Sequence, residues 1–386
     1  MTIEGLAAHG VLCFGGEDWW YHNRGHCDMQ FMRQFSKYGR VIYVNSIVMR
    51  KPNIGEGRMF WRRLQRKSRS IMRGLVRVGE RFWVYSPLTA PVHHVSWARP
   101  LNERLLRTQL QHVIRRVGLR QPLVWVNCPA ACDAALGLSR TVLVYQRTDR
   151  FEDFPGVDVE QIRRYDRKLK QHADLTFFAS RTLFEQEKSQ CRKAAYVDHG
   201  VDYERFANAS KNPWIPQEMK GLRRPIAGFF GGIDAHTFDL SLMVDVIRTL
   251  PDVSFVFVGK SSIEPTHLAR HSNVLMIGQR PFEQIPHYGK LFDVCLMPWK
   301  QNRWIEACNP IKLKEYLALG HPVVSTPFGE LRRYSGTVFV AESSEDFAAS
   351  ILRALKEPVD LQRRREGVHK ESWPVKCQAV IDRLGE

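Results

Sequence analysis

Lys312 and Glu315 lie in the stretch WKQNRWIEACNPIKLKEYLALGHPVV, residues 299–324. Their spacing puts them on one face of a helix. A cation in a helix's first turn is poorly placed for the dipole, but it suits a docked anion. Glu315 can then accept hydrogen bonds from sugar hydroxyls. The alternative is a surface Lys and Glu on an ordinary Rossmann helix. Asp149 is the second candidate. It follows the apolar run Val142 to Tyr145, so it sits just past a strand's carboxyl end, where ligands of α/β domains bind. A carboxylate there can act as a general base. Arg147 and Thr148 stand beside it to orient or ionise it. The alternatives for Asp149 are a cap for the next segment or a pair with Arg150.

The elements that must hold these residues can be read from punctuation and period. Val294 to Pro298 and Pro322 to Ser325 are short apolar runs that predict buried parallel strands. Between them Pro310 opens a helix carrying Ile311, Leu313, Tyr316, Leu317 and Leu319. Gly320 closes it. Upstream, the expected strands are Val11–Phe14, Val41–Asn45, Phe82–Tyr85, Leu123–Asn127, Val142–Tyr145 and Leu175–Ala179. Ala207–Arg224 is polar, contains Pro213 and Pro216, and reads as a linker. Pro225–Phe230 then starts a second series, with Gly231 and Gly232 in its first turn, where glycine lets backbone approach a pyrophosphate. Val253–Val258 ends in Gly259 and Lys260. Two βα series flanking one linker predict two Rossmann-like α/β domains. No internal repeat is present.

The formal charge of +17 is uneven. Residues 1–200 hold 33 Lys and Arg against 18 Asp and Glu. An anionic membrane surface, acceptor or nucleic acid is therefore expected at the first half. Lys51–Arg81 holds ten of these cations. Phe60, Trp61, Leu64, Ile71, Met72, Leu75 and Val78 recur there at helical intervals. This predicts a basic amphipathic helix from Met59 to Val78 that docks on an anionic bilayer through Trp61, Arg62, Arg63, Arg66 and Lys67. The competing reading is a core-facing helix with a solvated basic back. No run of 18 apolar residues exists, and the N-terminus lacks a signal pattern. Eight scattered cysteines without C-x-x-C, and histidines without metal spacing, point to reduced thiols and no metal site. The expected place is the cytoplasm, peripheral to the inner face of a membrane.

The ordered segments FFGGID, FVGK, IGQRP, DVCLMPW and NPIKLKEYLALGHPVV resemble bacterial GT-B glycosyltransferases that build surface polysaccharides. VYQRTD and HGVD are similar to the membrane-associated glucuronosyltransferase of xanthan assembly. The resemblance implies two Rossmann-like domains facing an interdomain cleft. It implies a C-terminal helix that crosses back to the first domain. Residues 1–206 would bind acceptor, 225–360 would bind nucleotide-sugar, and 361–386 would return. It further implies that Lys312 meets the donor diphosphate, that Glu315 holds the ribose, and that Asp149 is the base. Gly231, Gly232, Lys260, Trp299 and Asn309 would complete the donor site. Trp19, Arg24 and His26 of the first loop, with His199 of the HGVD tetrad, would face the acceptor. Many retaining members carry a second glutamate eight residues before the ribose-binding one. Here that position is Ala307, with Glu306 one residue off.

The expected activity is hexosyl transfer from a nucleoside diphosphate-sugar, most simply a UDP-sugar, to a lipid-linked or saccharide acceptor. Neither cofactor nor metal is expected. Inversion of configuration is the simpler chemistry for a lone base. A GT-B epimerase would leave the basic stretch unexplained. A nucleic-acid-binding protein would fit the isoelectric point of about 9.7, but no recognised nucleic-acid motif is present.

Overall fold

Residues 2–21, 25–47, 58–89, 99–356 and 360–386 are described in the computed structural model. Short runs of Val, Ile, Leu and Phe become strands because parallel sheets bury both of their faces. Eight form a first sheet: β1 (Val11–Phe14), β2 (Val41–Val44), β3 (Leu75–Gly79), β4 (Phe82–Tyr85), β5 (Leu123–Val126), β6 (Leu143–Arg147), β7 (Leu175–Phe178) and β8 (Ala194–Tyr196). Their order is β3-β4-β2-β1-β5-β6-β7-β8, parallel except for β3, which runs antiparallel to β4. Six form a second, parallel sheet: β9 (Ile226–Phe230), β10 (Ser254–Val258), β11 (Val274–Gly278), β12 (Val294–Met297), β13 (Val323–Ser325) and β14 (Val338–Val340). Its order is β11-β10-β9-β12-β13-β14. In each sheet the winding reverses beside the first strand, between β1 and β5 and between β9 and β12. Ligands of doubly wound sheets bind at that reversal, outside the carboxyl ends.

The chain divides into two units, Met1–Asp198 with Lys376–Glu386, and His199–Val375. The chain's end thus returns to the first unit, where Lys376 pairs with Asp198 and Lys193 donates to the Arg383 carbonyl at 3.2 Å. The first boundary falls before His199 rather than after residue 206, and the return begins at Lys376 rather than at 361. Residues 207–224 are not a free linker. Ala209 and Met219 are buried in the second unit's core, and Glu218 pairs with Arg280 at 2.5 Å. These anchors are few and separated by polar residues, so local composition hides them.

The basic helix is shorter than expected. It runs Arg58–Arg73 and ends at Gly74. Leu75 and Val78 then belong to β3, an edge strand paired with β4 through Leu75–Tyr85, Val76–Val84 and Arg77–Trp83. Pairing with β4 overrides a helical spacing that was local. One face of the helix is turned inward. Ser70 is buried and donates to Asp18 Oδ2 at 2.7 Å, while Lys67 donates to the Ser46 carbonyl at 2.9 Å. Trp61, Leu64, Arg66 and Met72 are exposed. Among the described residues no helix is long and apolar enough to cross a membrane.

Candidate active site

In the second unit, the helix Ile311–Leu319 connects β12 to β13. A parallel crossover of this kind brings its N-terminus to the carboxyl edge of the sheet, beside Gly231 after β9 and Trp299 after β12. Its N-cap is Pro310, whose side chain cannot cap it. Its other end is satisfied. Gly320, in the left-handed region at φ 89°, closes the helix, and Arg365 donates to the Ala318 and Leu319 carbonyls at 3.0 and 3.1 Å. With its C-terminal carbonyls met, the helix leaves N–H groups without a side-chain cap at its N-terminus, where an anion can accept from them.

Lys312 lies in that first turn. Its ammonium sits 4.0 Å from the centre of the Phe229 ring and 5.7 Å from that of Trp299. It also crosses Gly231. A β-carbon there would fall 2.7 Å from Lys312 Cε, and φ at Gly231 is 142°. The φ calls for glycine at this position, and any side chain there would also have to displace the flexible end of the lysine. Gly232, by contrast, is exposed, and a β-carbon added there would meet no neighbour nearer than 3.7 Å. Burial lowers the Lys312 pKa to about 8, against the favourable charges of Glu315 and Asp234. Glu315 is 8% exposed. Burial raises its carboxyl to about 8, opposed by Lys312 and assisted by Asp202. Glu315 thus has little water of its own, Lys312 keeps part of its side chain open to solvent, and the two are poised to bind a charged, hydroxyl-bearing ligand.

The rest of this edge is built from backbone turns. Asp234 accepts from the N–H groups of His236 and Thr237, both at 2.9 Å, and from the Thr237 hydroxyl at 2.7 Å. Trp299 is largely buried against Phe328, and its N–H donates to Thr326 Oγ1 at 2.9 Å. Asn309 is buried just before Pro310, and Lys260 is exposed just after β10. Phe229 and Asp234 were missed from sequence. Phe229 reads as one more core residue of β9, and the aspartate's turn is visible only as Asp-x-His-Thr chemistry.

His199 was expected with the acceptor residues of the first domain. It lies in the second unit, and its carbonyl accepts from the buried Lys314 ammonium, which also pairs with Glu371 at 2.9 Å. The tetrad is tied there because Val201 N donates to the Glu371 carbonyl at 2.9 Å. Asp202 thereby comes within electrostatic reach of Glu315.

In the first unit, Asp149 is half-buried, two residues beyond β6, and its carbonyl accepts from Phe151 N at 3.0 Å. Thr148 beside it reaches Asn127 Oδ1 at 3.5 Å, and a β-carbon on Gly16 would fall 2.7 Å from Asn127 Nδ2. The ends of β1, β5 and β6 thus converge at the reversal of the first sheet. Arg147 does not serve Asp149 as expected. Its buried guanidinium is committed to Glu152, Glu187 and Asp166 at 2.9, 3.2 and 3.3 Å. These three carboxylates hold the guanidinium, so it is not available to orient Asp149.

The first loop also differs from expectation. Trp19 is 5% exposed and packs on Phe82 and Tyr43 with ring centres 4.9 and 5.5 Å apart. It is a core residue rather than an open acceptor surface. His26 is exposed at the start of the helix Cys27–Phe35. Arg24 lies outside the described residues, as do the side chains of Arg62 and Arg63. Lys67, expected to face a membrane, faces Ser46 instead. Among the described residues no group of three His, Cys, Asp or Glu could hold a metal ion.

Residues 224–357 match the family described as Glycosyl transferases group 1. TuaH of Bacillus subtilis (strain 168), named for a glycosyltransferase role in teichuronic acid biosynthesis, is 34% identical over 138 residues, or 35% of this chain. The chain spans about a third of that relative, 34% of its length. Among solved structures, Anabaena HepE in complex with UDP and glucose matches 98% of this chain and 100% of its own, with a TM-score of 0.69 at 13% identity. A sucrose-phosphate synthase from Thermosynechococcus elongatus matches 97% of this chain and 98% of its own, with a TM-score of 0.69 at 14% identity. An α,α-trehalose 6-phosphate synthase from Burkholderia multivorans covers 97% of each chain, with a TM-score of 0.66 at 14% identity. At these identities the structures speak for the fold.

Proposed function

We propose that this chain, whose residues 224–357 match the glycosyl transferases group 1 family within a GT-B fold, transfers a hexosyl group from a nucleoside diphosphate-sugar to a lipid-linked or saccharide acceptor in polysaccharide assembly. UDP is the nucleotide of choice, because HepE is a complex with UDP and shares the fold. The observation that carries the reading is the Lys312 ammonium, held over Gly231 at an uncapped helix N-terminus with Glu315 buried behind it. Lys312 and the helix dipole would neutralise the diphosphate as it leaves, without a metal ion. Glu315 would hold the ribose hydroxyls. Gly231 would admit the pyrophosphate, Trp299 and Asn309 would border it, and Lys260 would add charge from the next loop. Gly232 would only extend the turn.

Asp149 is proposed as the base that takes the acceptor hydroxyl's proton during attack on the anomeric carbon. Inversion follows from direct displacement. Its support is that Ala307 is buried and carries no carboxylate, while Glu306 is exposed. The exposed face of the helix Arg58–Arg73, with Trp61 and Arg66, is proposed to rest on an anionic inner membrane surface where lipid-linked acceptors reside. Titration calorimetry with UDP and a panel of UDP-sugars tests the donor reading. Wild type should bind, and Lys312→Ala should weaken binding about ten- to a hundred-fold, as expected for a charge-assisted contact. Equal affinity in both proteins would remove Lys312 from the site.

A further inference from the structure

A charged cavity lies at the amino edge of the first sheet. It has a volume of about 740 Å³, and Arg40, Arg77, Arg81 and Arg116 line it together with Trp83 and Glu80. Arg40 and Arg81 immediately precede β2 and β4, so they mark the sheet's amino edge. Asp149 and Gly16 follow the other ends of their strands. At about 3.3 Å per residue, four-residue strands separate the two edges by on the order of 13 Å.

Three of the four arginines are oriented by neutral groups, and none of the four is neutralised. Arg40 Nη1 donates to the Val117 and Gly118 carbonyls at 3.0 and 3.3 Å. Arg81 Nη1 donates to the Lys37 and Tyr38 carbonyls at 3.3 and 3.5 Å. Arg77 Nε donates to the Gly79 and Glu80 carbonyls, both at 3.1 Å, and its guanidinium lies 5.4 Å from the Trp83 ring centre. Arg116 has no hydrogen-bond or ion-pair partner among the described residues. None of the four pairs with a carboxylate among those residues. A guanidinium offers five donors, so each one tethered to carbonyls keeps donors in reserve. Four such groups around one cavity exceed what solvation of a helix end or a turn needs. They match an anion with several charges in a small volume. A polymer of carboxylates would instead call for an extended stripe.

We propose that this cavity is a phosphate-binding site, distinct from the donor site, that takes a multiply charged phosphate group, either free or carried on a lipid headgroup. Guanidinium forks pair bidentately with phosphate oxygens, and the Trp83 ring, 5.4 Å from the Arg77 guanidinium, lies beside that contact. The inference does not depend on the transferase reading.

Calorimetry with pyrophosphate on the full chain tests it. In a Lys312→Ala background, pyrophosphate should still bind, and adding Arg77→Gln with Arg116→Gln should weaken it at least tenfold. Arg116→Gln alone, at an exposed and unpartnered side chain, should preserve Tm and still lower affinity several-fold. UDP affinity in the arginine variants should match wild type. Pyrophosphate affinity that the arginine substitutions leave unchanged, or its absence in the Lys312→Ala protein, overturns the proposal. Flotation with phosphatidic acid vesicles, whose headgroup is a doubly ionisable phosphomonoester, and with phosphatidylcholine vesicles identifies the source. Retention on phosphatidic acid that falls in the double arginine variant assigns the phosphate to a headgroup, and equal retention assigns it to a soluble ligand.

Discussion

The Lys312 side chain passes over the backbone of Gly231, so that a β-carbon on Gly231 would fall 2.7 Å from Lys312 Cε. The glycine after β9 and the lysine that opens the helix before β13 are therefore one device. The first makes room for the second at the reversal of the sheet. Neither residue implies the other in sequence, where eighty intervening positions separate them.

This relationship predicts the effect of Gly231→Ala. The methyl group must push the lysine aside and also adopt a strained φ. UDP affinity should fall about tenfold or more, with the second unit still folded, because the lysine is half-exposed and can move. Gly232→Ala has open space and should leave affinity within about twofold. The contrast between the two variants is the measurement, and similar losses in both would contradict the geometry.

The pKa values of the pair set a pH profile. Lys312 at about 8 and Glu315 at about 8 both hold their protons at pH 7 in the unliganded protein. Above that value the lysine loses its charge and the glutamate gains one, and both changes disfavour a diphosphate. UDP affinity should decline as pH rises through 8 to 9, with proton uptake on binding there visible as a buffer-dependent enthalpy.

Glu315 also predicts a stability trend. Its carboxyl is raised in the folded state, so its contribution is present in full below the unfolded value of 4.5 and is lost as pH rises to about 8. Glu315→Gln should flatten the decline of Tm between these limits. A wild-type slope retained in the variant would place the titration elsewhere.

Asp149→Asn tests the base. The amide keeps the size and loses the basicity. The transfer rate should drop 10²–10⁴-fold with UDP affinity unchanged. A loss below about tenfold would rule out the role. A product with the donor's own anomeric configuration would rule out inversion independently.

Membrane attachment should follow the exposed face of the helix Arg58–Arg73. Trp61 is 66% exposed and Met72 77%. Replacing Trp61 and Arg66 by Ser should reduce sedimentation with anionic vesicles, and added salt should do the same, since each cation near such a surface is worth about 1 kcal/mol. Lys67→Ser should change binding little, because Lys67 donates inward to Ser46. Equal attachment to neutral vesicles would exclude the electrostatic account.

The sequence by itself determined the strand series, the crossover helix Ile311–Leu319 and the two βα halves. These rest on apolar periods and on Pro and Gly punctuation, which act within a few residues. It also identified Lys312, Glu315 and Gly231 as candidates, because a strand–glycine turn and a strand–proline–helix junction carry their own geometry. Only the tertiary structure decided which partners these residues meet. It placed Phe229 under the Lys312 ammonium and buried Glu315 enough to raise its carboxyl. It sent Arg147 to three carboxylates and away from Asp149, and moved His199 into the second unit. It turned Leu75 and Val78 from a helix into an edge strand, because β4 offered unpaired backbone that local spacing cannot register. Burial, long-range pairing and the face a side chain takes arise when distant segments pack, so they belong to the fold and not to any window of the chain.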